Sequence, residues 1–307
     1  MNIQTISIVV PTKGCVNKCP FCVSRMHDSP YENDWDEFQI KKRIKYAVMN
    51  GVNTCIITGT GEALQNTNFL HKLRKLFEEM NHPFPNIEIQ TTGVLLSEKK
   101  VLWIGEKSHQ KVPVEYFYPY IDLLKALGVN TISLSVADIF EDINNLKIIG
   151  VAKNLEFYLN ELIPLLKERG FNIRLSLNML KKYDIFTFDE IIGRCKFLGA
   201  NQVTFRKMYI DKNIKSPESE WVIKNACHEK TLLRIKHDIE GNKVIESRGK
   251  FLYKLPFGGK VYSINGMSIV IDDDCMSKEN NETLKYIILR ENGKLYCQWD
   301  NEGSLIF

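Results

Sequence analysis

Short apolar runs alternate with longer amphipathic stretches along the first two thirds of the chain. The apolar runs are rich in β-branched residues and lie at residues 5–10, 54–58, 87–91, 131–136, 173–178 and 202–207. Continuous apolar runs of this length predict strands buried on both faces of a parallel sheet. Apolar positions recur at helical spacing in the stretches between them, at residues 38–49, 69–80, 120–127, 154–169 and 188–198. The pattern therefore predicts repeated β-α units.

Six such units favour one α/β architecture, a partial (β/α)6 TIM-like barrel of parallel strands. Glycine follows several of the predicted helices and is typical of a helix C-terminus, at Gly51, Gly128, Gly170 and Gly199. Right-handed crossovers are expected throughout. The alternative is an open, doubly wound sheet. In a parallel barrel the functional residues collect at the carboxyl ends of the strands.

The pattern changes after about residue 208, and the chain is divided there into a barrel, residues 1–208, and a C-terminal extension, residues 209–307. Asn265-Gly266 and Asn292-Gly293 each separate two short apolar segments, which predicts β-hairpins. We expect this extension to pack against the open side of the barrel and cover its mouth. A long insert at residues 99–119 is either a lid or a packed connection.

Composition and charge indicate an ordinary enzyme-sized protein without a nucleic-acid or membrane partner. The chain has 307 residues, and 41 basic residues nearly balance 37 acidic ones. This mild excess does not favour nucleic acid, and no apolar run is long enough to span a bilayer. The first residues lack the pattern of a signal peptide, so the cytoplasm is the expected location.

Three cysteines carry the clearest chemical signal. Cys15, Cys19 and Cys22 have C-x3-C-x2-C spacing and directly follow the first apolar run. Such a loop can fold three thiolates around one face of a [4Fe–4S] cluster, which normally takes four, so one iron is left open. The alternatives are a zinc site completed by His27 and three free thiols. The remaining cysteines are scattered, which predicts a single cluster.

This motif, after the first strand of a predicted barrel, resembles that of the radical S-adenosylmethionine (SAM) superfamily. The resemblance implies that SAM chelates the open iron and that the reduced cluster cleaves it to methionine and a 5′-deoxyadenosyl radical. That radical would abstract a hydrogen atom from the substrate. An electron donor such as flavodoxin or ferredoxin is then an expected partner. The rival of another class is a zinc-stabilised binding protein without catalysis.

A second motif, Thr58-Gly59-Thr60-Gly61-Glu62, ends the second predicted strand. It resembles the Gly-Gly-Glu turn that binds the amino group of SAM in the family, with Thr60 in place of a glycine. By the same resemblance, Phe21 lies beside the adenine. Taken alone, a turn with a glutamate is common, and Phe21 could be simple loop packing.

Polar residues at later strand ends provide further candidates. The resemblance implies SAM contacts for Thr91, Ser133, Ser135 and Asn178, in addition to Phe21, Gly59, Gly61 and Glu62. The candidate substrate-binding residues are Gln90, Asn178, Arg206, Asp272, Asp274 and Asp300. A polar side chain inside a barrel needs a hydrogen-bond partner, which is either a ligand or a neighbouring strand. No residue is assigned to the hydrogen abstraction itself.

The substrate is predicted to be a small molecule. The chain carries neither a cysteine-rich C-terminal module nor a basic stripe with aromatic residues that would suit RNA. Its size and compact extension resemble radical SAM enzymes acting on 7-deazaguanines, among them the queuine lyases, which implies a deazapurine base and lyase chemistry. The alternative is an enzyme that modifies a peptide or RNA.

Overall fold

A large, mainly parallel sheet with helices packed on its outer face forms the protein. The computed structural model describes residues 3–26, 32–98, 100–102, 115–210, 215–241, 246–255, 259–272, 284, 286–299 and 301–307. The described strands are β1 Thr5–Val10, β2 Thr54–Gly59, β3 Asn86–Thr91, β4 Lys100–Leu102, β5 Glu115–Phe117, β6 Thr131–Val136, β7 Asn172–Asn178, β8 Gln202–Arg206, β9 Lys250–Lys254, β10 Lys260–Ile264, β11 Met267–Asp272, β12 Ile287–Leu289 and β13 Leu295–Tyr296. The described α-helices are α1 Val23–Met26, α2 Glu37–Met49, α3 Thr67–Glu79, α4 Pro119–Leu127, α5 Asp142–Ile149, α6 Leu159–Glu168, α7 Phe188–Leu198, α8 Pro217–Asn225 and α9 Glu229–Glu240.

The six predicted strands are confirmed and lie side by side in the order β1-β2-β3-β6-β7-β8, all parallel. Their carboxyl ends therefore meet at one edge of the sheet, which is where the cysteine loop follows β1. The sheet runs from β13 at one side to β9 at the other and does not close. This open, curved sheet is the predicted partial barrel.

The two faces of the sheet differ in chemistry. The outer face packs against the helices through fully buried apolar side chains, including Ile57, Ile89, Leu134, Leu175 and Phe205. The inner face lines a cavity and carries polar residues at alternate positions, such as Gln90 and Ser133. Several of these inner polar side chains are buried, among them Ser133 at 3% and Ser176 at 2% exposure, as predicted for strands covered on both faces.

The C-terminal extension contributes strands to both edges of the barrel sheet. Strand β11 pairs in parallel with β8, whereas β12 pairs in parallel with β1. Both predicted hairpins are confirmed as the antiparallel pairs β10–β11 and β12–β13. Asn265 and Gly266 have φ values of 52° and 81°, as a type I′ turn requires.

Some elements differ from the sequence-based prediction. Helices α1, α5, α8 and α9 were not predicted. The helix predicted at residues 154–169 begins only at Leu159, whose backbone N–H donates to the Asp142 carboxylate at 3.1 Å. In the insert, β4 and β5 form an antiparallel pair, while residues 103–114 lie outside the described residues. Within the described part of the chain, no helix combines the length and apolar character needed to cross a membrane.

Candidate active site

The cysteine loop is fixed on two sides by neighbouring elements. On one side, the Lys18 N–H donates to the carbonyl of Ile149, the last residue of α5, at 3.0 Å. On the other, the Val16 N–H donates to the Gln65 side chain at 2.7 Å. The backbone between Cys15 and Cys19 is thus positioned by the protein itself, which reduces the entropy lost when a metal cluster is bound.

The three thiols are neighbours that do not converge on one point. Burial raises the pKa of the Cys15 thiol, and burial together with the nearby Cys22 and Cys15 raises that of Cys19 to about 12. Among the described residues, no three thiol, imidazole or carboxylate groups surround a single metal position. Thiolates that hold an iron–sulfur cluster bind different irons and therefore stand apart. This donor set suits a cluster, whose positive irons would stabilise the thiolates.

The turn after β2 packs directly against the cysteine loop. A Cβ atom added at Gly61 would lie 2.5 Å from the Gly14 carbonyl oxygen, 2.6 Å from Thr12 Oγ1 and 3.2 Å from the Cys15 Cβ. The Thr12 and Thr60 hydroxyls are 3.3 Å apart. Only glycine allows this approach of the two backbones, so the two motifs form one structural unit.

Glu62 holds the ends of β2 and β3 together. It is 4% exposed, and its carboxylate accepts hydrogen bonds from the Thr91 hydroxyl at 2.7 Å and from the Thr92 N–H and hydroxyl at 3.1 and 3.0 Å. Asn17, in the cysteine loop, donates to the same Thr92 hydroxyl at 2.8 Å. Burial raises the pKa of Glu62, and the hydrogen bonds from Thr91 and Thr92 oppose that rise. A contact between Glu62 and the SAM amino group stays a prediction.

We expect Glu62→Ala to lower the free energy of unfolding by about 2–4 kcal/mol, because it leaves several buried donors without an acceptor. Chemical denaturation checks this, with Glu79→Ala on the exposed face of α3 as the control. Glu62→Gln keeps one acceptor oxygen, so its free energy of unfolding should fall by less than that of Glu62→Ala. Equal stability of Glu62→Ala and the parent chain would contradict the assigned role.

The other predicted SAM residues have mixed surroundings. The Asn178 amide donates to the Ser135 hydroxyl at 3.1 Å, so these two partly satisfy each other across neighbouring strands. Thr91 is bound to Glu62 as described above. Ser133 is 3% exposed and lines the cavity. The Phe21 ring also lines the cavity and packs against Trp221 of α8, with ring centroids 5.7 Å apart.

A cavity of about 1380 Å³ extends from the cysteine loop into the barrel. Typical small-molecule sites occupy about 300–1000 Å³, so this volume has room for a substrate and a second ligand. Gln90, Arg206 and Asp272 line it, and Arg206 Nε lies 4.0 Å from an Asp272 carboxylate oxygen. The structure therefore brings these three substrate candidates to one cavity. Asp274 and Asp300 lie outside the described residues, as does His27 of the zinc alternative.

Sequence reasoning missed two groups of cavity residues. Glu88, Arg174 and Gln202 lie on the inner face of the sheet. Arg174 precedes Ser176 by two positions, and this polar alternation was the signal that could have found it. The C-terminal extension adds Glu291 and Trp299. Burial raises the pKa of Glu291, and a hydrogen bond with Thr60 opposes that rise.

The chain belongs to the radical SAM superfamily, whose family model matches residues 9–195, more than half of its length. The predicted cofactors, a [4Fe–4S] cluster and SAM, are confirmed at the level of this superfamily. The members of this superfamily are enzymes.

Solved structures show the same fold. SuiB of Streptococcus suis bound to SAM superposes with a TM-score of 0.55 and 13% identity, over 96% of this chain and 60% of SuiB. The enzyme anSMEcpe with bound AdoMet gives a TM-score of 0.55 and 12% identity, over 98% of this chain and 76% of anSMEcpe. The chain thus spans about 60% of the length of SuiB. No curated protein sequence matches the chain.

Proposed function

We propose that this protein is a radical SAM enzyme that carries a [4Fe–4S] cluster on Cys15, Cys19 and Cys22 and acts on a small polar substrate. The observation that carries the proposal is the position of the three thiols at the rim of one large cavity with many polar side chains. When bound, the reduced cluster supplies the electron that cleaves SAM to methionine and a 5′-deoxyadenosyl radical, which abstracts a hydrogen atom from the substrate.

In this proposal the chain's own residues position the cysteine loop, bind SAM and shield the reaction from water. The Gly61 turn keeps the cysteine loop against the end of β2. Glu62, Thr91 and Thr92 fix the ends of two adjacent strands, and Ser133, Ser135 and Asn178 offer hydroxyl and amide groups to SAM from the wall of the cavity. Enclosure by the barrel keeps water away from a reactive species during turnover.

Lys18 lies in the cysteine loop and is exposed, whereas the nearby Arg25 is paired with Glu218 of α8 at 3.3 Å. Positive charge near the cluster suits an acidic electron donor such as a flavodoxin or ferredoxin, because charge complementarity accelerates encounter. We place this reaction in the cytoplasm.

For the substrate, the proposal is a 7-deazaguanine base, with lyase chemistry as in queuine breakdown. A guanine-like edge combines N–H donors with a carbonyl oxygen. The cavity offers carboxylate acceptors together with guanidinium and amide donors, among them Asp272, Arg206 and Gln90. A single base and SAM together fit within the cavity volume of about 1380 Å³.

The test is an anaerobic assay of the reconstituted protein with SAM and a reductant. Deazapurine bases, a short peptide and tRNA are screened for stimulation of 5′-deoxyadenosine formation. We expect about four irons per chain and stimulation by a free base. Stimulation by peptide or tRNA alone would overturn the small-base assignment and leave the radical SAM assignment in place. Protein that binds zinc and no iron would overturn both.

A further inference from the structure

A charged cluster lies on the inner face of the barrel sheet, below the strand ends. It joins three strands: Glu88 of β3, Arg174 of β7 and Gln202 of β8. Arg174 Nη1 lies 2.5 Å from a Glu88 carboxylate oxygen, and its Nε donates to the Gln202 side-chain oxygen at 2.7 Å. All three residues line the large cavity. The cluster is part of the cavity wall and is distinct from the cysteine loop and the Glu62 network.

Among the described residues, two polar atoms on the inner face at or next to this cluster are buried without a hydrogen-bond partner. One is the second carboxylate oxygen of Glu88, Oε1, on a side chain that is 6% exposed. The other is the hydroxyl of Ser176, which is 2% exposed and lies two residues after Arg174. Within the described part of the chain, neither atom has a hydrogen-bond partner. Leaving such groups unpaired costs about 1–3 kcal/mol each, and a ligand in the cavity would remove that cost.

The depth of the cluster sets the size of that ligand. Glu88 precedes Thr91 by three residues, and Thr91 binds Glu62 at the strand end. At about 3.3 Å per residue, Glu88 lies roughly 10 Å below the level of the Glu62 network. One bicyclic base bridges most of this distance between the cluster and the rim.

The charges of Glu88 and Arg174 restrict which chemical groups of a ligand can bind to the cluster. Glu88 and Arg174 neutralise each other, so the cluster has no net charge that would draw in a cationic amine. The carboxylate oxygen accepts hydrogen bonds only, whereas the arginine donates only. A neutral planar group with adjacent N–H donors and a carbonyl oxygen satisfies both kinds of partner.

We propose that Glu88, with Arg174 and Ser176, is the substrate-recognition site and binds the two-donor edge of a 2-amino-4-oxo pyrimidine ring. This inference rests on the proposed function and assigns its substrate contacts to residues deeper than Arg206 and Asp272. The Glu88 carboxylate accepts from the ring N–H and the exocyclic amino group. Arg174 donates to the carbonyl oxygen, and Ser176 contacts the ring from the side.

The test is calorimetric binding of two probes to the cluster-loaded protein with SAM and without reductant. The probes are 7-deazaguanine and 7-deazahypoxanthine, which lacks the exocyclic amino group. We expect the parent chain to bind 7-deazaguanine about tenfold more tightly, as for the loss of one hydrogen bond to a carboxylate. Glu88→Gln should reduce this preference to about twofold or less, because an amide offers one acceptor and places a donor opposite a donor.

Matched controls distinguish a loss of base recognition from a loss of folding. Glu79→Gln, on the exposed side of α3, should keep the full preference. Iron content and the thermal unfolding midpoint show whether Glu88→Gln is intact. If it is not, Ser176→Ala replaces it, since that hydroxyl has no described protein partner and its loss should not destabilise the fold. Ser176→Ala should weaken binding of 7-deazaguanine about three- to tenfold, while its thermal unfolding midpoint should stay that of the parent chain.

Equal affinity of the parent chain for both probes overturns the inference, as does a folded Glu88→Gln that keeps the tenfold preference. Unchanged affinity in Ser176→Ala overturns it as well. These results leave the radical SAM function standing, because that function is measured separately as iron content and 5′-deoxyadenosine formation. Conversely, if the protein prefers 7-deazaguanine as expected but takes up no iron on reconstitution, the recognition site is supported and the proposed reaction is overturned.

Discussion

Replacing Cys15, Cys19 or Cys22 by alanine is expected to abolish cluster assembly and SAM cleavage together. In the proposed site each thiolate would bind a different iron of the cluster, and the loop offers no fourth cysteine to substitute for a lost one. Iron content should fall from about four per chain to near zero, and 5′-deoxyadenosine should disappear from the anaerobic assay. Iron analysis, the visible absorption of the brown protein and product chromatography measure these effects.

The control for the cysteine substitutions is Cys297→Ala. Cys297 is a half-buried free thiol in the C-terminal extension, and its replacement should leave iron content unchanged. A single-cysteine variant of the loop that still contained four irons and cleaved SAM would contradict the assignment of these residues as ligands.

Gly61→Ala is expected to impair the same cluster without removing any ligand. The added methyl group would come within 3 Å of the Gly14 carbonyl and the Thr12 hydroxyl, and one of these contacts is backbone. The cysteine loop must therefore shift, with a loss of about 1–3 kcal/mol in the free energy of unfolding. Iron content after reconstitution should fall well below that of the parent chain.

Gly193→Ala is the matched control, because no atom lies within 4 Å of the position that its Cβ would take. Gly193 is inside helix α7, where alanine should stabilise the protein by about 0.5–1 kcal/mol. Iron content in Gly61→Ala equal to that of the parent would show that the turn and the cysteine loop are not one unit.

The strands and the cysteine motif could be predicted because their signals are local. An apolar run of five or six residues followed by a glycine-capped helix needs no knowledge of the rest of the chain, and the spacing of Cys15, Cys19 and Cys22 is itself the ligand pattern. Helix α8 had a local signal too. Ser216 caps it through a 3.1 Å bond to the Ser219 N–H, and Pro217 occupies its first position, but no helix was predicted there.

The contacts between strands could not be predicted in this way. Glu62 was recognised as a site residue, yet its bonds to Thr91 and Thr92 depend on the pairing of β2 with β3. The ion pair of Glu88 and Arg174 crosses β6, which lies between their strands. Such partners follow from sheet order and curvature, which the sequence of one strand does not contain.

The pairing of β1 with β12 has a consequence for how the protein acquires its shape. Ile6 is in register with Ile287, so the strand that leads into the cysteine loop lacks one neighbour until a segment from the other end of the described chain has been made. An unpaired parallel edge is prone to associate with other chains, and contacts between distant residues form slowly. During synthesis, the cysteine loop is therefore made before residues 287–289, the strand that completes the edge beside it.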